Sequence, residues 1–317
     1  MPQFVLPFQK LDKSCVSIAG GKGAQLGEMF NAGIPVPPGF VVLTDSFEAF
    51  IKENGFESKI NAILARVDPQ KTQTVDAASK QIREMISKGK ISKEIEKAAL
   101  AKYGELNAKL VAVRSSATAE DAASASWAGE LDSYMNIARG NLLETVRKCW
   151  SSLFTPRAIF YRIEKKLSNQ RVAVAVVVQK MVQSEVAGVI FTVHPVTKDR
   201  NKMVIEAAFG LGESVVSGAV SPDNYVIDKS DLSIVDIAVN EQEKMIVKVL
   251  IGKSVETKTV PVPENLHSKQ KMDGKSILAL ARICLMIEKH YGKPQDIEFA
   301  MEAGKIFIVQ SRPITTI

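Results

Sequence analysis

Short, nearly continuous apolar runs alternate along this chain with longer stretches in which apolar residues recur every third or fourth position. "RVAVAVVVQKMV" at 171–182 is β-branched and almost unbroken, the pattern of a strand buried on both faces. "LVAVRSS" at 110–116 reads as a core strand whose end delivers Arg114 and two serines into a loop. "GVIFTVHP" at 188–195, "MVIEAAF", "NYVID", "EKMIVKVL" and "KIFIVQS" add strand candidates in the second half. Helical spacing predicts a short helix over 22–31 with Leu26, Met29 and Phe30 inward, after which the prolines of "IPVPPGFVVL" keep the chain extended. Asp45 and Ser46 offer caps for "SFEAFIKEN", and 71–104 reads as a charged, solvated helical cover. The helical region at 141–166 divides at Thr155 and Pro156, an N-cap followed by a proline at the first helical position, and a further helix is expected at 275–290.

A chain of 317 residues that is 46% hydrophobic can fill two cores, and the short connectors after residue 174 place a boundary near 180. The expected division is 1–180 and 181–317. Lys and Arg number 41 against 35 Asp and Glu, a formal charge of +6 that is modest for this length. With aromatics at 6% and no zinc-finger, basic-helix or RNA-binding signature, nucleic acid is not an expected partner. Cys15, Cys149 and Cys284 are odd in number and far apart, which argues against a disulfide framework or a four-cysteine metal site and for a reducing, cytoplasmic setting. The amino terminus has no charged region followed by an apolar run, and the longest apolar stretch is interrupted too early to span a bilayer, so no membrane association is expected.

The chemistry concentrates in a few segments. "GGKGAQLGEMFNAGIPVPPGF" at 20–40 sets Lys22 among glycines, but with neither the spacing of a Walker A loop nor a dinucleotide fingerprint. By itself it either holds phosphate or turns the chain. "AVRSSATAEDAASASWAGELDSY" at 112–134 adds Arg114, Gly129 and several hydroxyls; arginine can clamp phosphoryl oxygens bidentately, whereas serine and alanine richness alone marks a loop or tight packing. In "KPQDIEFAMEAGKIFIVQSRP", Asp296 and Glu298 have the period-two spacing of one strand face, as do Gln310 and Arg312, and a hairpin closing at "EAGK" lets the two pairs meet. Asp296, Glu298 and Gln310 then offer hard oxygen ligands for Mg2+, with Arg312 and Lys22 placed for phosphate charge. A plain salt-bridge network between neighbouring strands is the competing reading.

In order along the chain, "GGKGAQLGEM", "VPPGF", "AVRSSATAED", "SWAGELDSY", "SLFTPRAIFYR", "GLGESVVSGAVSPDNY" and "IVQSRPIT" resemble the nucleotide-binding domain of the phosphoenolpyruvate synthase and pyruvate phosphate dikinase family, whose relatives include rifampin phosphotransferase and phenylphosphate synthase. The resemblance runs from residue 4 to 314. It implies an α/β (α+β), ATP-grasp-like fold in which two subdomains enclose ATP and magnesium. It also implies ATP-site positions at Lys22, Arg114, Gly129, Ser133, Gln179, Glu298, Gln310 and Arg312, with Asp296 a further acidic position and Ser133 standing where threonine is common. Glu206 and Glu213 carry over no role beyond lining. In this family ATP phosphorylates a histidine on a separate swivelling domain, with AMP and phosphate released overall, and an acceptor-binding domain completes the transfer. His194, His267 and His290 do not lie in the threonine-serine-histidine-glycine type of segment. The histidine and acceptor domains are therefore expected in the same longer chain or in a partner subunit, with pyruvate, rifampin or phenol as acceptor. A non-catalytic, ATP-sensing regulatory subunit is the alternative.

Overall fold

The computed structural model describes residues 3–118, 121–122, 125–126, 132–164, 173–252 and 254–315. The chain divides into two compact units, Met1–Asn31 with Pro38–Met181, and Ala32–Pro37 with Val182–Ile317. The short proline-rich segment 32–37 thus belongs to the second unit, where Ile308 donates its amide to the Pro35 carbonyl at 2.9 Å.

The first unit is built on five antiparallel strands in the order β1-β2-β7-β3-β6, namely β1 (Val5–Pro7), β2 (Gly39–Val42), β7 (Val174–Lys180), β3 (Val111–Ala117) and β6 (Ser133–Ile137). Two two-residue strands, β4 (Asp121–Ala122) and β5 (Ala125–Ser126), pair separately. Strand β7 lies at the centre with Val174 through Gln179 buried, so its unbroken apolar run marks coverage of both faces in an antiparallel sheet.

One face of this sheet carries Phe40, Val42, Val111, Val113, Val174, Val176 and Val178 into the large core. Helices α2 (Thr44–Glu53), α3 (Glu57–Leu64), α4 (Thr72–Lys88), α5 (Lys93–Glu105), α6 (Leu142–Ser152) and α7 (Pro156–Glu164) supply the other side of that core. At its centre, the rings of Phe50 and Phe47 stand 4.8 and 6.0 Å from fully buried Trp150. The break between α6 and α7 falls where the sequence places it, with Ala158 N donating to Thr155 Oγ1 at 3.2 Å. Asp45 and Ser46 do not cap α2. The helix already begins at Thr44 because Leu43 N is held by the Phe4 carbonyl at 2.9 Å, and Ser46 Oγ donates to that same carbonyl at 2.7 Å.

The opposite face is covered by α1 (Val16–Asn31), which begins six residues before its expected start. Small residues bring it close: a Cβ on Gly27 would lie 2.5 Å from Leu11 Cβ, and one on Gly23 3.0 Å from Val41 Cγ2.

The second unit holds six antiparallel strands in the order β11-β10-β9-β8-β14-β15. These are β8 (Val186–Phe191), β9 (Lys202–Phe209), β10 (Asp223–Asp228), β11 (Ile234–Ala238), β14 (Gln295–Glu302) and β15 (Lys305–Pro313). A separate hairpin is formed by β12 (Lys244–Ile251) and β13 (Ser254–Pro261). The short helix α8 (Glu213–Val216) follows β9, and α9 (Gly274–Tyr291) packs on β14 through an apolar stripe that includes Ile277, Leu280, Ala281, Cys284 and Ile287. Asp273 caps α9 by accepting from Ser276 N at 2.7 Å, and Gly292 ends it in the left-handed conformation. The β14–β15 hairpin turns on Ala303 and Gly304, both with φ above zero, as a two-residue loop matched to strand twist requires. Among the described residues no helix is long and apolar enough to cross a membrane.

Candidate functional site

In the first unit, direct cross-strand pairing sets Arg114 beside Val177 and Ser133, and Gln179 between Gly39 and Ala112. Since partners in register point to one side, Arg114, Ser133 and Gln179 share the α1 face, whereas Ser115 faces the core and ties to α6 through Ser152 Oγ at 3.1 Å. Arg114 and Gln179 are buried, at 7% and 2% exposure, and Ser133 is exposed.

Lys22 is brought to the same strand from the other direction. Its Nζ donates to the Ser115 carbonyl at 2.9 Å. Three of the expected positions on this unit thus share one face of the sheet, and the fourth reaches the β3 backbone from α1. Gly129 lies outside the described residues.

The second unit presents two rows of contrasting chemistry. Tyr225, Ile205, Ile190, Ile297 and Ser311 stand in register across five strands and are all buried. On the opposite face, Asn224, Glu206, Val189, Glu298 and Gln310 stand in register and are all half-buried. One step along that face, Asp296 opposes Arg312. The two pairs do meet across the hairpin, Asp296 with Arg312 and Glu298 with Gln310, because the register shifts by one residue between Glu298 and Phe299; continued unshifted from the Glu302–Lys305 pair, it would set Glu298 opposite Val309.

Asp296 and Arg312 are joined directly, Asp296 Oδ2 accepting from Arg312 Nε at 2.8 Å and Nη2 at 2.7 Å. The residues assigned separately to metal and to phosphate are therefore an ion pair here. Burial pushes the Asp296 carboxyl above its ordinary range, Arg312 opposes that shift, and the charge of Glu298 adds to it. Burial likewise raises Glu206, with the charge of Asp296 contributing. Three carboxylates thus face the same way, close enough for their charges to couple. Glu206, to which the resemblance assigns no role beyond lining, joins the row of Glu298. Its signal lies in "MVIEAAF", where Glu206 is the one charged residue of an otherwise apolar segment.

Among the described residues no group of three or more His, Cys, Asp and Glu closes into a metal cage. A magnesium ion held by one or two protein oxygens plus nucleotide phosphates needs no such cage, and Glu298 and Gln310, side by side, are oxygen donors of the right hardness. The three histidines have local partners: His194 Nδ1 accepts from Val196 N and Thr197 N, His267 Nε2 is 2.8 Å from the Val262 carbonyl, and His290 stacks edge-on against Tyr291. Cys149 is fully buried and its thiol is pushed up to about 12 by that burial, which leaves it inert.

Residues 16–317 match the family described as pyruvate phosphate dikinase, AMP/ATP-binding domain. The chain is 49% identical over 322 residues to a protein named probable phosphoenolpyruvate synthase in Methanocaldococcus jannaschii, an alignment covering 99% of this chain and 27% of that protein. A second protein of that name, from Archaeoglobus fulgidus, is 46% identical over 319 residues, with 99% of this chain and 42% of the relative covered. A rifampicin phosphotransferase of Bacillus cereus is 42% identical over 323 residues, with 100% of this chain and 36% of the relative covered. The chain spans less than half the length of these curated relatives.

Proposed function

The chain belongs to the pyruvate phosphate dikinase AMP/ATP-binding domain family, and from that premise we propose that it binds Mg-ATP to phosphorylate a histidine on another domain of a longer chain or on a partner subunit, AMP and phosphate being released overall. The observation that carries the reading is the half-buried row containing Glu206, Glu298 and Gln310, on the face of the second sheet opposite a wholly buried row. An acidic, partly solvated stripe suits a ligand that arrives with its own cation.

Glu298, Gln310 and Asp296 are the proposed magnesium ligands, and the ion when bound supplies charge neutralisation at phosphate oxygens. Lys22, Arg114 and Arg312 are the proposed phosphate-binding and catalytic cations. Asp296 holds the Arg312 guanidinium in a fixed orientation. Gly129, Ser133 and Gln179 complete the proposed nucleotide contacts. Rate enhancement in this reading comes from positioning and charge stabilisation, with no covalent intermediate on this chain's own residues.

Relatives named for two different reactions match over essentially the whole chain, which favours a shared ATP half-reaction and leaves the acceptor to other domains. A cytoplasmic setting goes with a consumer of ATP whose three cysteines are free thiols.

The test is incubation with magnesium and ATP labelled at the β or γ position, with and without a candidate histidine domain. The β label should appear on the partner's histidine, AMP should accumulate, and this chain alone should carry no stoichiometric label. Stoichiometric phosphorylation of His194, His267 or His290 in the isolated chain, followed by transfer to an acceptor, would overturn the partner requirement.

A further inference from the structure

Helix α1 contains a residue that is not helical: Gly20, with φ 69° and ψ 169°, interrupts the helix two residues before Lys22. In a continuous helix the amide of Gly23 would donate to the carbonyl of Ala19, four residues back. Here a side chain from another element stands in that gap. Ser116 Oγ accepts from Gly23 N at 3.1 Å and donates to the Ala19 carbonyl at 2.9 Å. One hydroxyl thus replaces one helical hydrogen bond, satisfying both groups that the kink would otherwise leave without each other.

The fit allows nothing larger at the bend, since a Cβ on Gly20 would lie 2.3 Å from both the Ser116 carbonyl oxygen and its Oγ. Ser116 is fully buried, and the bridged residues, Ala19 and Gly23, bracket Lys22. The neighbouring residue Ser115 takes the Lys22 ammonium on its carbonyl. Consecutive residues of β3 therefore grip the bend and the lysine that follows it.

We propose that Ser116 is the positioning residue for Lys22: by splicing its hydroxyl into the α1 ladder it fixes the bend that aims the lysine. The inference concerns the geometry of Lys22 in the ligand-free chain, and its consequence for nucleotide rests on the Mg-ATP reading above. The hydroxyl touches no phosphate in this account and transfers nothing.

Two measurements on Ser116→Ala separate those levels. The first is the rate at which Lys22, located by peptide mapping, is acylated by a small amine-directed reagent without nucleotide, relative to Lys202 of the second unit. The ratio should change severalfold on loss of the bridge, and an unchanged ratio overturns the proposal. The second is Mg-ATP binding by calorimetry for the parent, Ser116→Ala, Lys22→Ala and the double variant. Loss of a buried bridging hydrogen bond should weaken binding about tenfold in the parent background. It should have almost no further effect once Lys22 is gone, because the hydroxyl acts through the lysine. Equal, additive losses in both backgrounds would mark Ser116 as a general stability residue and overturn the role. If the acylation ratio shifts while the parent itself does not bind Mg-ATP, the positioning of Lys22 stands and the nucleotide reading fails.

Discussion

The two units position polar side chains by different means. In the first, Arg114 and Gln179 are buried on the sheet face that α1 covers, and Lys22 is fixed by a helix bent around a serine from the sheet. In the second, Glu206, Glu298 and Gln310 stand half-buried in one row set by β register. Helix-on-sheet contact tolerates no added atom at Gly20, whereas a β row tolerates changes at its exposed tips so long as the register survives. The comparison predicts that substitutions near Lys22 act through packing and those near Glu298 through charge.

The largest effect is expected where the second unit departs from its own rule. Asp223 and Lys271 form an ion pair with both side chains at 0% exposure. Asp223 also accepts from Asn240 N, Lys271 N and Tyr225 OH, and the Lys271 ammonium lies 5.5 Å from the Phe209 ring centroid. This network ties the segment before α9 to strand β10. Lys271→Ala leaves a buried carboxylate uncompensated and should cost about 3–5 kcal/mol. Both tryptophans, Trp127 and Trp150, belong to the first unit's sequence, so their fluorescence reports that unit, and hydrogen exchange of α9 and β10 reports the other. Lost protection confined to α9 and β10 is the expected result; equal loss in both units would mean that they do not stabilise independently.

Gly20→Ala should come next, at about 2–4 kcal/mol, combining a left-handed backbone with a contact that neither the Ser116 backbone nor its hydroxyl can relieve. Here the fluorescence transition should move and α9 protection should not. A variant with parental stability would mean that the bend is soft, contrary to the packing argument.

How much of this was legible in the sequence follows from the same contrast. Period-two spacing in "QDIEF" and "VQSRP" shows which residues of each strand share a face, but the pairing of Asp296 with Arg312 and Glu298 with Gln310 depends on a one-residue register shift between Glu298 and Phe299 that a turn at "EAGK" does not predict. Thr155 and Pro156 were readable because capping is local chemistry. The Ser116 bridge was not, since it joins residues 93 and 97 positions apart, and nothing in "AVRSSA" distinguishes a serine that faces α1 from one that faces α6. The start of α1 was missed for a related reason: glycine at a bend reads as a terminus when the hydroxyl that restores the ladder lies elsewhere in the chain. Glu206 carries no role beyond lining in the sequence because a lone charge in an apolar segment gains meaning only from its neighbours across the sheet.

Glu298→Gln sharpens the charge side of the comparison. It keeps the size and one oxygen of the side chain and removes the carboxylate beside Gln310. The fold should be unaffected, while the magnesium concentration needed for half-maximal phosphoryl transfer should rise about tenfold, a difference of ~1.4 kcal/mol. An unchanged magnesium titration would remove Glu298 from the proposed ligand set.

The smallest effect is expected at Glu206, and its sign is set by pH. Burial, aided by the charge of Asp296, raises the folded-state carboxyl above its ordinary range. Between the unfolded and folded values the native state therefore holds more protons than the unfolded chain, so stability falls as pH rises through that window. The cost is complete above the raised value and absent below the ordinary carboxylate range. Glu206→Gln removes the titrating charge, so at neutral pH the variant should be more stable than the parent, by no more than about 0.5 kcal/mol given partial solvent screening. The gain should vanish as pH falls below the ordinary carboxylate range. It should appear in exchange from β9 and the strands beside it and leave the fluorescence transition of the first unit unmoved. A gain that persists at low pH would trace to packing of the amide instead of loss of charge, and the second row would then obey the same steric rule as the bend at Gly20.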